Sequence, residues 1–312
     1  MTRNLLVWLL CLAALLVFYG LGRLNPVANL FTVSLSPLPV YLAGRRLGHQ
    51  AAFFAGLAAF LLACSLKPGL ATVVEHLGWG ELLLMGFLLS WLEARGRSAG
   101  AAILISVAAL ILATVLALGV QVYFSGMTIK EVFVQKTGEI TELLAGVLAG
   151  PEAKPTGTEV FGVPLARLKE LIRSLLPALV VTNTGMVAWI NVVLGRRLLA
   201  RWGWGDPEPP LYLWSMPEWF IFVLLATGFL LLLPEPLVRT VCLNLMLIWA
   251  LLYFCQGVAV VASWFQSFRA PVFLRVLGYF LMFVHPLFLL VIILGLADIW
   301  LDFRRLRQPM NV

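Results

Sequence analysis

The 312 residues are 62% hydrophobic and only 12% charged, more apolar side chain than one water-soluble core can bury, so lipid is the solvent for most of the chain. Mean hydropathy is +0.98, and the apolar residues come in solid runs of roughly 17–25, the helical span length, instead of the alternation of a barrel. The net charge of +7 sits in short basic clusters between those runs, the positive-inside pattern, which argues against a nucleic-acid surface.

Breaks at glycine, proline and charged residues delimit nine apolar segments, at 4–22, 27–43, 49–66, 70–92, 98–124, 175–195, 217–235, 238–264 and 271–301. The expected fold is an all-α, polytopic transmembrane bundle of eight or nine segments. A membrane domain of six segments over 1–200 is followed by C-terminal transmembrane helices over 201–312. No small-x-small cleavage site precedes Arg23, so the first segment reads as an uncleaved span. With Arg3 cytoplasmic, Arg45, Arg46, Arg95, Arg97, Arg196, Arg197 and Arg201 also fall inside, while Lys67 and the 125–174 region fall outside. Three further spans would place Arg304, Arg305 and Arg307 outside. Eight spans, with one re-entrant segment among the last three, suit the charges; nine suit the hydropathy.

The second segment crowds Asn25, Pro26, Asn29, Ser34, Ser36, Pro37 and Pro39 together, which predicts broken backbone packed in protein or lining a cavity. Small residues recur every fourth position in the third segment (Ala51, Ala55, Ala59, Ala63) and the fifth (Ala109, Ala113, Ala117), flat stripes for close helix approach. Glu75 and His76 open the fourth segment, where an acid beside an imidazole suits a proton relay or a ligand, or an interfacial position beside Trp79 and Glu81.

Between the fifth and sixth segments, residues 125–174 carry six basic and six acidic side chains. Ile140, Leu143, Leu144, Val147 and Leu148 have helical spacing, as do Leu165, Leu168, Ile172 and Leu175 after Pro164. Gly150, Pro151, Pro155 and Gly157 divide them. Two amphipathic helices over the outer mouth of the bundle are expected.

In the sixth segment Thr182, Asn183, Thr184 and Asn191 interrupt an apolar helix, and amides there bond neighbouring helices or a ligand. Asn183 and Asn191, two turns apart, are both expected in the bundle interior. Asn244, Gln256 and His285 carry the same two readings. Asp298 and Asp302, with Arg305 three residues on, suggest a terminal salt-bridged turn. Cys11, Cys64, Cys242 and Cys255 lack metal or redox spacing. No HExxH, GxSxG, GxxxxGK[ST] or GxGxxG motif is present, so no enzyme, metal or cofactor is expected.

The stretches SLSPLPVYLAGRRLG (Ser34–Gly48), NLMLIWALLYFCQGVAVV (Asn244–Val261) and GLADIWLDFRR (Gly295–Arg305) resemble the YybS-type family of uncharacterised bacterial multi-pass membrane proteins, which implies the bacterial cytoplasmic (inner) membrane. To about residue 200 the plan is also similar to the substrate-binding S components of energy-coupling factor transporters. The parallels are six spans, a kinked second helix ending in PLPVYLAGRRLG, a small-residue third helix and a long outer loop. That resemblance implies a ligand pocket near the outer face, with ATPases and a coupling subunit as partners. The family's alanine-every-fourth stripe on the first helix is missing from Leu5 to Leu21.

Two functions follow. One is binding or transport of a small molecule in a pocket formed by the second, fourth and sixth segments and the loop, with Asn29, Glu75, His76, Asn183, Thr184 and Asn191 as candidate ligand-binding residues. The other is a non-transporting scaffold that organises membrane protein partners. In both the bilayer is the first partner, and nucleic acid is not one.

Overall fold

The computed structural model describes residues 2–304 apart from 25, 66–69, 129–130, 133, 136, 143–158, 161–162, 205–210 and 285. The apolar runs become helices: α1 (Thr2–Leu24), α2 (Pro26–Leu35), α3 (Pro37–Leu47), α4 (His49–Ser65), α5 (Leu70–Ala94), α6 (Ala99–Ser125), α7 (Leu165–Trp202), α8 (Phe220–Leu230), α9 (Pro236–Ser267), α10 (Val272–Leu281) and α11 (Leu287–Leu301). Glu159–Val160 pairs with Val163–Pro164 in a two-residue antiparallel ladder just before α7. Five of the described helical stretches are long and apolar enough to cross a membrane: Asn4–Leu24, His76–Ala94, Ala99–Val120, Ala166–Trp202 and Pro236–Ser267. The others are shorter.

Three segments depart from the simple reading, each at a proline. The second divides at Ser36, because Pro37 stands at the first position of α3 with no N–H to offer the turn before it. The ninth divides into α10 and α11, where the backbone turns at 282–284 and Pro286 precedes the new helix. His285 lies outside the described residues. The sixth is longer than expected: the amphipathic stretch after Pro164 is the first part of one 38-residue α7, with Pro177 inside it. At 1.5 Å per residue it runs about 57 Å, well beyond a hydrocarbon core of about 30 Å.

Two compact units are present. The first comprises Met1–Arg173 and Asn183–Pro207. Its centre is α3, packed against α1, α4 and α5, with Pro37 and every residue from Pro39 to Gly44 buried. Glycines let the helices approach: a Cβ on Gly86 would fall on the Pro37 carbonyl, and one on Gly195 on the Tyr41 ring. The broken backbone at Ser36 is packed in protein, since Trp79 Nε1 donates to Ser36 Oγ at 3.0 Å and that hydroxyl donates to Thr32 O at 2.9 Å. In the third segment Ala55, Ala59 and Ala63 are buried and Ala51 is half-buried.

The second unit comprises Ser174–Thr182 and Glu208–Val312. Here α9 packs on α11 through Gly257 and Gly295, whose absent side chains leave room for the Val291 and Tyr253 carbonyls. Asn244 of α9 stitches the backbone beside Pro177. Its Oδ1 accepts from Ala178 N–H at 2.9 Å and its Nδ2 donates to Ser174 O at 2.8 Å, the two groups that would pair with each other in an unbroken helix.

In the loop, residues 131–135 and 137–142 are helical where described. A capping box starts this helix: Thr128 N–H donates to Glu131 Oε2 at 2.8 Å, and Glu131 N–H to Thr128 Oγ1 at 3.3 Å. The expected apolar face at 143–148 and the turn at 150–157 lie outside the described residues. Lys169 of α7 holds the described part by donating to Glu142 at 2.7 and 2.8 Å.

Candidate functional site

Three ionisable residues of α5 sit at three levels of the first unit. Near the start of the helix His76 is buried, and its Nε2 meets the Tyr19 hydroxyl; Arg23 Nη1 donates to that hydroxyl at 2.6 Å. Near the far end Glu93 is buried beneath Arg196, whose Nε and Nη2 donate to Oε1 at 3.1 and 2.8 Å, while the Tyr41 hydroxyl donates to Oε2. Two Gly-Arg-Arg-Leu sequences, at 44–47 and 195–198, bring these arginines to one end of the unit. Arg46 stacks on Trp204 and Arg95 on Trp91.

Between these levels lies Glu81, about 18 Å along the helix from Glu93. It is half-buried, and Thr114 Oγ1 of α6 donates to its Oε2 at 2.9 Å. The same hydroxyl lies 3.0 Å from Leu110 O, and with one proton it donates to one acceptor at a time. Glu81 borders a groove of about 310 Å³ walled by α4, α5 and α6, whose remaining lining is apolar, with Phe60, Leu84 and Phe87 among it. Small residues Ala52, Gly56, Gly80, Ala113 and Ala117 are part of the lining, and the Phe60 ring lies over Gly80. A wider depression against Met127, Thr128, Glu131, Val134 and Gln135 is lined, among the described residues, by one short stretch of chain.

In the second unit Asp298 and Arg304 form a buried pair, with side chains 4% and 1% exposed. Arg304 Nη2 and Nε donate to Asp298 Oδ2 at 2.6 and 3.1 Å, and Nη1 donates to the carbonyls of Tyr212 and Trp214 at 2.8 and 2.7 Å. Gln256 Nε2 adds a bond to Asp298 Oδ2 at 3.2 Å. Asp298 is thus held by Arg304 in an internal tie, while Arg305, named in the expected terminal turn, lies outside the described residues. Asp302 ends α11 in a left-handed conformation.

His76 and Asn191, both singled out from sequence, make their bonds to separate partners. Asn191 is fully buried; its Nδ2 donates to Ser34 O at 2.8 Å and Val187 O at 2.7 Å, and its Oδ1 has no partner. Asn183 is exposed, a correction to its expected interior position, and Thr184 is half-buried. Asn29 is exposed, beside Gly22. Glu75 belongs to α5, but its side chain is outside the described residues. Trp79 is buried. Where the second, fourth and sixth segments meet, Val40, Tyr41, Met85, Leu89 and Val192 are all fully buried, so this described region is packed. Sequence reasoning named Glu81 only as an interface residue and passed over Glu93. The signal that could have found both was an acid within one long apolar run.

All four cysteines are free thiols, three of them buried. Helices of spanning length and composition, close glycine contacts and charges held in internal pairs define a multi-pass α-helical protein of the cell membrane. The chain belongs to the DUF2232 family of predicted membrane proteins, whose family model matches residues 11–299. No curated protein and no solved structure matches it.

Proposed function

We propose that this protein binds a small molecule within its first unit, in the groove walled by α4, α5 and α6, and that it does so without catalysing a reaction. The observation that carries this reading is Glu81. A charged side chain at the centre of a spanning helix costs about 2.5–3.5 kcal/mol, and such residues mark binding or conduction paths more often than packing. Glu93 and Asp298 have arginine partners that explain their burial. The bond found for Glu81 is to a Thr114 hydroxyl that Leu110 also engages, and the space beside it has the volume of a small-ligand site. The apolar lining supplies contact area and the carboxylate supplies orientation.

The test is thermal unfolding of the purified protein in mild detergent, with and without an organic extract of the host membranes. Gly56→Leu serves as the blocked variant, with Ala113→Leu, a half-buried residue of the opposite wall, as its replacement should the leucine fail to fit beside Leu83 and Val40, which lie 3.7 and 3.9 Å from a Cβ at Gly56. The extract should raise the unfolding temperature of the wild type and leave Gly56→Leu unmoved. Equal shifts in both proteins, or none in either, would count against a ligand in the groove and favour the scaffold reading.

A further inference from the structure

We propose, resting on the groove reading above, that the ligand is a single-chain amphiphile with a protonated amine head, which enters sideways from the bilayer and seats its nitrogen on Glu81. Three observations select this class. First, the groove opens along the lipid-facing side of the helices: Phe53 and Leu57 of α4 and Leu84 of α5 line it and are exposed. A molecule dissolved in the hydrocarbon reaches it with no aqueous step. Second, among the described residues Glu81 is the one ionisable side chain in the lining, and no described lysine, arginine or histidine joins it. A fatty acid or an anionic headgroup would meet like charge in a low-dielectric wall, and a hydroxyl would make a neutral bond only. An ammonium makes a charge-assisted bond that the surroundings strengthen. Third, the polar and apolar parts are arranged along one line. Glu81 and the flanking Ala113 and Ala117 stand toward one end. Phe87 stands about 9 Å further along α5, where its ring lies 5.9 Å from that of Phe53. An extended chain laid from Glu81 to this aromatic pair runs along the apolar lining between them. Thr114 completes the seat, since its hydroxyl can turn to Leu110 and release Glu81 Oε2 to the incoming ammonium.

The experiment uses the full chain in lipid nanodiscs and three photoreactive diazirine probes of equal chain length: a tetradecylamine, a tetradecanol and a tetradecanoic acid. Labelling is read by mass spectrometry on the peptides covering α4 and 77–87. The amine should label the groove about tenfold more than the acid. Glu81→Gln, which keeps the shape and the Thr114 bond, should bring the amine down to the level of the alcohol. Gly56→Leu should abolish groove labelling by every probe, and Ala113→Leu repeats the block from α6 should Gly56→Leu fail to fold. If amine and alcohol label equally and Glu81→Gln changes nothing, the amine assignment is overturned while the groove reading survives through its sensitivity to Gly56→Leu. If the blocked variants label like wild type, the groove reading itself falls. Photocrosslinking that instead joins α4 of one copy to another copy would assign the groove to self-association and overturn the proposal.

Discussion

Arg196 and Asn191 are the side chains whose loss should be felt most in the first unit. Removing one member of a buried ion pair leaves the other charge desolvated and alone, at a cost of about 3–5 kcal/mol. Arg196→Met should therefore lower the unfolding temperature in detergent sharply, and the double variant Glu93→Leu with Arg196→Met should recover most of that loss. A double variant no better than the single would mean that the pair is not what holds Glu93. Asn191→Ala removes the bonds to the Ser34 and Val187 carbonyls and should cost about 1–3 kcal/mol, whereas exposed Asn183 should tolerate alanine within about 0.5 kcal/mol. Equal effects at the two positions would contradict their different burial. Sequence spacing alone put both amides on one face. Eight residues, however, turn an α-helix about 80° past two full turns, enough to carry one amide into the core and leave the other outside. The proposed role of Asn191 rested on its residue type, which legibly marks a buried amide but leaves open whether a helix or a ligand takes its bonds.

At the scale of elements, the apolar runs were readable because spanning helices need unbroken lengths of apolar residues, whereas their prolines were read less well. Pro37 and Pro286 end helices as their missing N–H and fixed φ dictate. Pro177 does not end α7, because Asn244, sixty-odd residues away in sequence, supplies the nearby backbone groups with partners; nothing local announces that. Asn244→Ala should thus speed amide hydrogen exchange over 174–182 while leaving 190–200 unchanged, and unaltered exchange at Ala178 would show that the side chain is not holding the kink. The loop helix has its own readable signal in Thr128-x-x-Glu131. The backbone N–H of Thr128, and then its hydroxyl, hold the Glu131 carboxyl below its ordinary value. A carboxyl depressed in the folded state stabilises above the unfolded pKa and loses that contribution as pH falls through the folded one. Exchange over 131–142 should accelerate in that acidic window, and Glu131→Gln should make it insensitive to pH there. A wild-type helix that exchanges equally fast above and below it would remove the capping box as its anchor.

For the whole molecule, composition alone makes the membrane assignment legible, and charge clusters give an orientation that can be tested. A cysteine at Gly157, which lies outside the described residues, should react with a membrane-impermeant maleimide in intact cells carrying Cys64→Ser. Labelling only after lysis would invert the proposed sidedness. The number of spans was less legible. Helices of 10–17 residues such as α8, α10 and α11 are as apolar as the long ones, and a hydropathy average cannot tell half a span from a whole one. The groove was not legible at all, since its walls come from three segments that only the fold brings together. Its occupancy is the central claim, and native mass spectrometry of protein released from mild detergent tests it most directly. Wild type should carry an added small-molecule mass that is diminished in Glu81→Gln and missing from Gly56→Leu. Identical spectra from all three proteins would contradict a ligand in this groove.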